Sequence, residues 1–347
     1  KDEDYFMISV NHGVRVISRP TCALCGLPGQ VFYTGMYDRL FTAPGIWDIR
    51  ICWNCELAWL DPCPSPEEVG KLYLDYFTHQ IMKPPDSYIV QLKQGAKRAV
   101  WAAWLGYRQG IGRKLLLAGY FARLFPPLYE AAMMAVMGLS AEKRGRLIDI
   151  GCGNGQFLAL MRDLGWEVLG VEPDVEAARV AEDTFGIKVI PSTLEEASLP
   201  DASADVITMN HVIEHVHDPI TLLKECRRVL RPGGMLVVVT PNLNSFGRRL
   251  WGKAWLHWDP PRHYFIFSAK SLLDCARRTG LQVKACQIIA RGARLVWAIS
   301  QVIQANGRCF NVRWEEFPWG TRLAGWVFQW LEHLFGGGEE LFMVATK

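Results

Sequence analysis

The sequence predicts an α/β protein: a doubly wound, mostly parallel sheet, preceded by a small cysteine-bearing ribbon and interrupted by helical insertions. Three observations predict it. From Arg146 onward, short apolar runs alternate with amphipathic stretches of helical length. A glycine turn, Asp149-Ile-Gly-Cys-Gly-Asn-Gly155, stands between the first apolar run and the helix after it. Two Cys-x-x-Cys pairs, Cys22/Cys25 and Cys52/Cys55, stand near the N-terminus.

The elements follow in order. Val14–Ile17 and Gln30–Tyr33 are β-branched or aromatic and bounded by Gly, Pro and Cys, so they predict strands. Pro62, Pro64 and Pro66 close this part, and Ser65-Pro-Glu-Glu68 opens a helix with Ser as cap and acids in its first turn. Residues 87–140 predict helices broken at Gly110-Ile-Gly112 and Pro126-Pro127. Strands are expected at 146–150, 167–171, 188–190, 204–209, 235–240, 283–290 and 341–346, which makes a seven-stranded sheet. Helices are expected at 156–164, 175–184, 218–230 and 269–279. The expected organisation is a ribbon over 1–66, a helical cap over 67–145, and an α/β domain over 146–347 with insertions at 243–268 and 291–338.

Composition narrows the class. Half of the 347 residues are hydrophobic, enough for a large core and too many for disorder. A net charge of +3 says little about partners, but its distribution says more. Between Ser87 and Arg146, ten Lys and Arg, from Lys93 and Lys97 to Arg144 and Arg146, face only Glu130 and Glu142. The ten cysteines, without a leader-like N-terminus, favour metal binding and reduced core thiols over disulfides. No apolar run reaches the ~18 residues of a membrane span. A cytoplasmic protein is expected.

The glycine turn lets the chain reverse and lets a ligand approach its backbone. Its spacing is Gly-x-Gly-x-Gly, an acid (Asp149) precedes it, and the second strand ends in another acid, Glu172, placed for a ribose diol. With Val171-Glu-Pro-Asp174, Asp205-Val-Ile-Thr-Met-Asn210, Glu214-His215-Val216-x-Asp218-Pro219 and Leu230-Arg-Pro-Gly-Gly234, residues 146–241 resemble the class I S-adenosylmethionine (SAM)-dependent methyltransferases. The resemblance implies a Rossmann-like fold and SAM as cofactor. It implies that Gly151, Cys152, Gly153 and Gly155 line the SAM, that Asp149 holds its amino-acid end, and that Glu172 with Pro173 meets the ribose. Asn210, ending the fourth strand, completes the expected cofactor set. Around Pro191-Ser-Thr193 and Glu195 no adenine contact is assigned.

His211-Val-Ile-Glu-His215 has the spacing of a zinc-peptidase helix, but it follows a strand of the sheet and not a peptidase cleft. At the carboxyl end of strand four it faces the crevice where cofactor and acceptor meet. It resembles the element of deoxysugar methyltransferases, where it supplies a base. It also resembles that of ubiquinone-pathway O-methyltransferases, where it can hold a divalent cation. Glu214 and His215 are thus candidate base or cation ligands, with His211 a third, or His215 simply caps and packs the next helix. His263 and His257 are further candidate bases.

Four thiolates from two Cys-x-x-Cys pairs can close a tetrahedral structural zinc site, so Cys22, Cys25, Cys52 and Cys55 are expected zinc ligands. The Ile51–Glu68 segment followed by Leu72-Tyr73, Asp259-Pro-Pro-Arg-His263 with Phe265-x-Phe-Ser268, and Gly338-Glu-Glu-Leu341 resemble bacterial zinc-ribbon methyltransferases of sugar, polysaccharide and natural-product pathways. The sugar C-methyltransferases of that group carry a further C-terminal domain, which weighs against C-methylation here.

Residues 243–267 gather Trp251, Trp255, His257, Trp258, Arg262, His263 and Tyr264, suited to a sugar ring or planar acceptor, or to a packed lid. Trp101–Met137 and Leu295–Phe335 are aromatic-rich. They read either as amphipathic helices on a membrane surface, reaching a lipid-linked acceptor, or as core and dimer-interface helices. The expected function is methyl transfer, chiefly to oxygen, on a small-molecule, glycan or lipid-linked acceptor. The alternatives are an RNA methyltransferase, using the ribbon and the basic helices, and a sugar C-methyltransferase. Nucleic acid is disfavoured because the basic residues alternate with large apolar ones and no base-amine motif follows strand four. Oligomeric state is left open.

Overall fold

The computed structural model describes residues 8–72, 88–310, 312 and 314–347. Tyr73, part of the ribbon-to-helix resemblance, and the charged Lys1–Asp4 lie outside them.

The N-terminal part is built of short strands β1 (Ile8–Asn11), β2 (Val14–Ile17), β3 (Gln30–Met36), β4 (Trp47–Cys52), β5 (Leu57–Leu60) and β6 (Cys63–Pro64). The expected helix opening at Ser65 becomes a 3-10 turn, Pro66–Glu68, and α1 (Val69–Leu72). A helical layer follows: α2 (Tyr88–Trp104), α3 (Arg113–Phe121) and α4 (Pro126–Ala135). The Pro126-Pro127 pair does not merely break a helix. It forms the first turn of α4, where a missing N–H costs nothing.

The α/β part runs β7 (Arg146–Ile150), α5 (Gln156–Asp163), β8 (Glu167–Val171), α6 (Val175–Phe185), β9 (Val189–Ile190), β10 (Ala204–Asn210), α7 (Pro219–Val229) and β11 (Leu230–Pro241). Then come α8 (Phe246–Trp251), β12 (Phe265–Phe267), α9 (Ala269–Arg278), β13 (Gln282–Ile289), α10 (Ala293–Asn306), α11 (Trp319–Phe335) and β14 (Glu340–Thr346). Asp174 caps α6 and Asp218 caps α7, each side chain accepting two backbone N–H groups, while Ser268 and Ser271 form a capping box on α9.

The large sheet has the order β13-β14-β11-β10-β7-β8-β9. β7 is parallel to both β8 and β10, β8 to β9, and β10 to β11, whereas β14 runs antiparallel to its neighbours β11 and β13. The chain winds outward on both sides of β7. The crevice between the carboxyl ends of β7 and β10 is therefore the switch point where such sheets bind ligands. The middle strands are buried on both faces, which is why they are near-continuous apolar runs.

The N-terminal strands do not stand apart. β12, from the insertion after β11, pairs antiparallel with β5 and completes the four-stranded sheet β12-β5-β4-β3. Trp47, Leu57, Trp59, Phe265, Phe267 and the sheet residues Ile207 and Val238 share one buried cluster. At the same junction Arg262, wholly buried, donates to Asp38 (Nη1 to Oδ2 at 2.8 Å, Nη2 to Oδ1 at 2.9 Å) and to Asp259. Asp38 also accepts the backbone N–H of Leu40, Phe41 and Ala43. The acceptor insertion and the cysteine-bearing segment are thus one packed unit, although 224 residues separate Asp38 from Arg262.

Candidate active site

The glycine turn leaves the carboxyl end of β7 and delivers the chain to α5, with Gly155 as its N-cap at φ +77°. A Cβ at Gly155 would stand 2.7 Å from that of Ala181, so only glycine fits against α6. At Gly153, φ +52°, a Cβ would meet nothing within 4 Å, so the backbone there borders open space. Glu172, from the end of β8, fixes the turn by accepting Gly153 N–H at 2.8 Å on one oxygen and Asp174 N–H at 3.0 Å on the other. Asp149 lies buried beneath, accepting the Thr208 hydroxyl at 2.6 Å. Burial raises its pKa, the Thr208 bond opposes the rise, and the charge of Glu172 adds to it, leaving the carboxyl at about 7. Two buried acids under an open glycine cradle fit a cationic ligand such as a sulfonium carrying an ammonium.

The other expected cofactor residues divide. Cys152 turns its thiol inward: a Cβ on Gly170 would lie 2.5 Å from its Sγ. Burial and the charges of Asp149 and Glu172 push that thiol's pKa well up, so it is the Cys152 backbone that faces a ligand. Gly151 backs onto Val212, and Pro173 is exposed. Asn210 is exposed at the end of β10, its Oδ1 accepting Arg291 Nη2 at 3.0 Å.

Beside this crevice, at the end of β10, a cavity of about 240 Å³ is lined by four histidines, His211, His215, His257 and His263, and by Leu40, Phe41, Leu295 and Ile299 among others. The sequence brought His211 forward as a third candidate base or cation ligand. Its Nδ1 lies 2.9 Å from Glu214 Oε1 and its Nε2 3.0 Å from Glu340 Oε1, so both ring nitrogens are committed to carboxylates. Burial works against a charged ring, but these two bonds win and raise its pKa to about 9. Held between two carboxylates, the ring favours its protonated form, which has no lone pair to offer. Glu214 is wholly buried; burial would raise its pKa, yet His211 holds it at about 2. Its second oxygen accepts the Thr240 hydroxyl at 2.9 Å.

His215 and His263 are arranged differently. His215 Nδ1 lies 3.1 Å from the Arg262 carbonyl, and His263 Nδ1 lies 2.7 Å from the His257 carbonyl. A carbonyl can only accept, so Nδ1 carries a proton in both, which leaves Nε2 as the ring position that would take up a further one. Burial, then the nearby His263, lowers the His215 pKa to about 4, so at neutral pH this ring is uncharged. The two rings meet edge to face at 4.6 Å. One donor atom each from Glu214, His215 and His263 lie within 4.8 Å of one another. Leu40 and Phe41 of the N-terminal segment had no local signature, and Glu340, part of the Gly338-Glu-Glu-Leu341 motif, was not singled out for the site; long-range packing brings them here.

The four expected cysteine ligands converge. All four Sγ atoms lie within 4.8 Å of one another, with Cys22–Cys55 at 3.3 Å and Cys25–Cys52 at 3.4 Å, and all four are free thiols. Gly26 N–H bonds to Cys22 C=O and Glu56 N–H to Cys52 C=O, making two matching turns. Glu56 adopts φ +57°, the conformation glycine takes in the first turn.

Comparison with known proteins agrees with this geometry. A family described as a methyltransferase domain matches residues 121–285. The ubiquinone biosynthesis O-methyltransferase of Cereibacter sphaeroides is 34% identical over 148 residues, which are 39% of this chain and 60% of that protein. A Mycolicibacterium smegmatis protein named "Probable S-adenosylmethionine-dependent methyltransferase" is 39% identical over 101 residues, 29% of this chain and 39% of that one. The chain thus spans less than two thirds of these relatives' length. A SAM-dependent methyltransferase structure from Thermotoga maritima, 25% identical, aligns over 72% of this chain and 99% of that chain at a TM-score of 0.43. The chain carries a class I SAM-dependent methyltransferase domain.

The Asp149 carboxyl gives this site a pH signature. Its pKa in the folded chain, about 7, is raised above the ordinary carboxylate value. Its contribution to stability is therefore full at low pH and is lost as pH rises through that value. A cation binding beside Asp149 favours the ionised form. SAM binding at about pH 6 should release a proton, so its calorimetric enthalpy should vary with the ionisation enthalpy of the buffer, and the variation should vanish above about pH 8. Equal enthalpies in all buffers at the lower pH would show that Asp149 does not sense the ligand.

Proposed function

We propose that the protein transfers the methyl group of SAM to a hydroxyl oxygen of a small acceptor seated in the four-histidine cavity. The observation that carries this reading is the tautomer of His215 and His263, whose Nδ1–H groups are tied to backbone carbonyls. SAM, when bound, supplies a methyl group already activated by its sulfonium. Asp149, Glu172 and the backbone of Gly151, Gly153 and Gly155 hold it at the end of β7. What remains for the chain is to place the acceptor oxygen in line and dry, about 3–3.5 Å from the methyl carbon, and to remove its proton. Leu40, Phe41, Leu295 and Ile299 exclude water. Nε2 of His263 or His215 would take the proton of the acceptor O–H as SAM supplies its methyl group to that oxygen. The named activity of the Cereibacter relative, O-methylation, supports oxygen as the target.

A second reading has a specific observation behind it: Glu214, His215 and His263 lie close enough together to hold a divalent cation against a catechol-type acceptor. The base reading is preferred because both Glu214 oxygens already serve His211 and Thr240. With methyl-labelled SAM and a panel of phenols, catechols and sugar alcohols, His263→Gln and His215→Gln together should lower kcat about 10²–10⁴-fold while SAM affinity holds. Full activity in the double variant, or label found only on carbon or nitrogen, would defeat the proposal. Activity abolished by chelator and restored by Mg²⁺ would favour the cation.

We propose further that Cys22, Cys25, Cys52 and Cys55 hold a structural zinc ion. The sulfur separations of 3.3–3.4 Å, with all four within 4.8 Å, bracket the ~3.8 Å edge of a tetrahedron with ~2.3 Å Zn–S bonds. Because this segment carries Asp38, Leu40 and Phe41, its loss should be felt at the acceptor. Metal analysis should find one zinc per chain. Cys22→Ser with Cys52→Ser should lose it and raise the acceptor KM at unchanged SAM affinity. A native protein without zinc would refute the assignment.

A further inference from the structure

We propose that α3, the turn after it and α11 form a docking surface for an anionic lipid bilayer. This goes beyond methyl transfer and does not depend on it.

α3 presses Gly119 onto α2, where a Cβ would lie 2.0 Å from the Ala99 carbonyl oxygen. Residues two before and two after lie on the opposite side of the helix. These are Leu117 and Phe121, 58% and 65% exposed, and the outward face continues into Leu124 and Phe125, 72% and 58% exposed. Arg113 and Lys114 start the same helix, both exposed and without an acidic partner among the described residues. Arg108 is exposed just before them, and Arg123 lies over the Trp104 ring at 5.2 Å. From Ser87 to Tyr129 the chain has no Asp or Glu at all.

α11 adds a second apolar face. It packs inward through Gly325, Phe328, Gln329 and Glu332. Outward it presents Trp319, Leu323, Trp326, Val327, Leu331 and Leu334. This face holds no charged residue, with Arg322 at its edge. The two faces adjoin: His333 of α11 reaches Glu130 of α4 at 3.4 Å, one residue before Leu334 and five after Phe125. Leu295, itself exposed on α10, continues the apolar surface to the wall of the histidine cavity.

The charge pattern decides among occupants. On α3 and the turn after it, exposed Leu and Phe bordered by cations, in a stretch without an acid from Ser87 to Tyr129, complement a surface that is apolar within and negative at its rim. The exposed Glu315 and Glu316 precede α11, outside its apolar face. A second copy of this chain would set these cations against one another. RNA would gain nothing from the charge-free face of α11. No helix of the described residues is long and apolar enough to cross a membrane, so the contact is with the membrane surface.

The test is flotation of the full chain with phosphatidylcholine vesicles, with and without about one third phosphatidylglycerol. The chain should float with the anionic vesicles only, and less as salt rises from about 0.1 to 0.5 M. Phe121→Glu with Leu124→Glu, and separately Trp326→Glu with Leu334→Glu, should each weaken binding at least about tenfold, as should Arg113→Glu with Lys114→Glu. All these positions are exposed, and unchanged SAM affinity verifies the fold. The proposal is overturned by absence of flotation, by equal binding to neutral vesicles, by variants that bind as the parent does, or by dimerisation or RNA binding through these residues without lipid binding.

Discussion

Arg262 carries its charge with no exposure to solvent, and it can do so because two carboxylates and a ring surround it. Asp38 and Asp259 take its guanidinium from two sides, and Phe41 covers it at 4.6 Å from the ring centre. Burial tends to raise the Asp259 pKa, but Arg262 holds it at about 2. A buried ion cluster of this kind adds little net stability compared with apolar packing, yet removing one member is costly, so it fixes an arrangement more than it strengthens one. What it fixes is the junction between the cysteine-bearing segment and the loop after β11. The Arg262 carbonyl orients His215, the next residue is His263, and Asp38 shapes the turn that presents Leu40 and Phe41. The acceptor cavity depends on that one arginine.

The two halves of the site use charge in opposite ways. On the cofactor side, Asp149 and Glu172 are buried close together, and the charge of Glu172 adds to the rise in the Asp149 pKa, a strain that a positive ligand would relieve. On the acceptor side, charge is already balanced: His211, which favours its protonated form, sits between Glu214 and Glu340, and Arg291 also reaches Glu340. Beside this neutralised network stand His215, uncharged at neutral pH, and His263, whose Nδ1 is likewise tied to a backbone carbonyl, which suits proton abstraction at Nε2. Burial, then the nearby His211, lowers the pKa of His257 to about 3, so this ring lining the cavity is neutral, like that of His215.

The sheet was legible in the sequence because its strands and helices have strong, local periodicities. The strands 146–150 and 167–171 are found where expected, and the others differ mainly at their ends. The glycine turn was legible for the same reason: its residues are consecutive, and its backbone needs are met by glycine alone. The cysteine cluster was legible from two short spacings that the fold brings together. The histidines were only half legible. Glu214 and His215 were recognisable from their place after β10, but the fate of His211 depends on Glu340, 129 residues away. Likewise the pairing of β5 with β12, and of Asp38 with Arg262, leaves no periodic trace, so the segment before residue 66 gave no sign in the sequence that it would line the acceptor cavity. Cys152 shows the converse limit. Its position in the turn was plain, but which way its thiol points is decided by the space left at Gly170.

The methyl-transfer chemistry requires that the open cradle at Gly153 receive SAM. Calorimetry of SAM binding to the intact chain and to Gly153→Arg tests that most directly. A Cβ at this position meets nothing within 4 Å in the protein itself, so the substitution fills the ligand's space at little cost beyond the strain of φ +52°. The account predicts SAM binding near one equivalent in the parent and none in the variant, with the variant still folded. Undiminished SAM affinity in Gly153→Arg would contradict it.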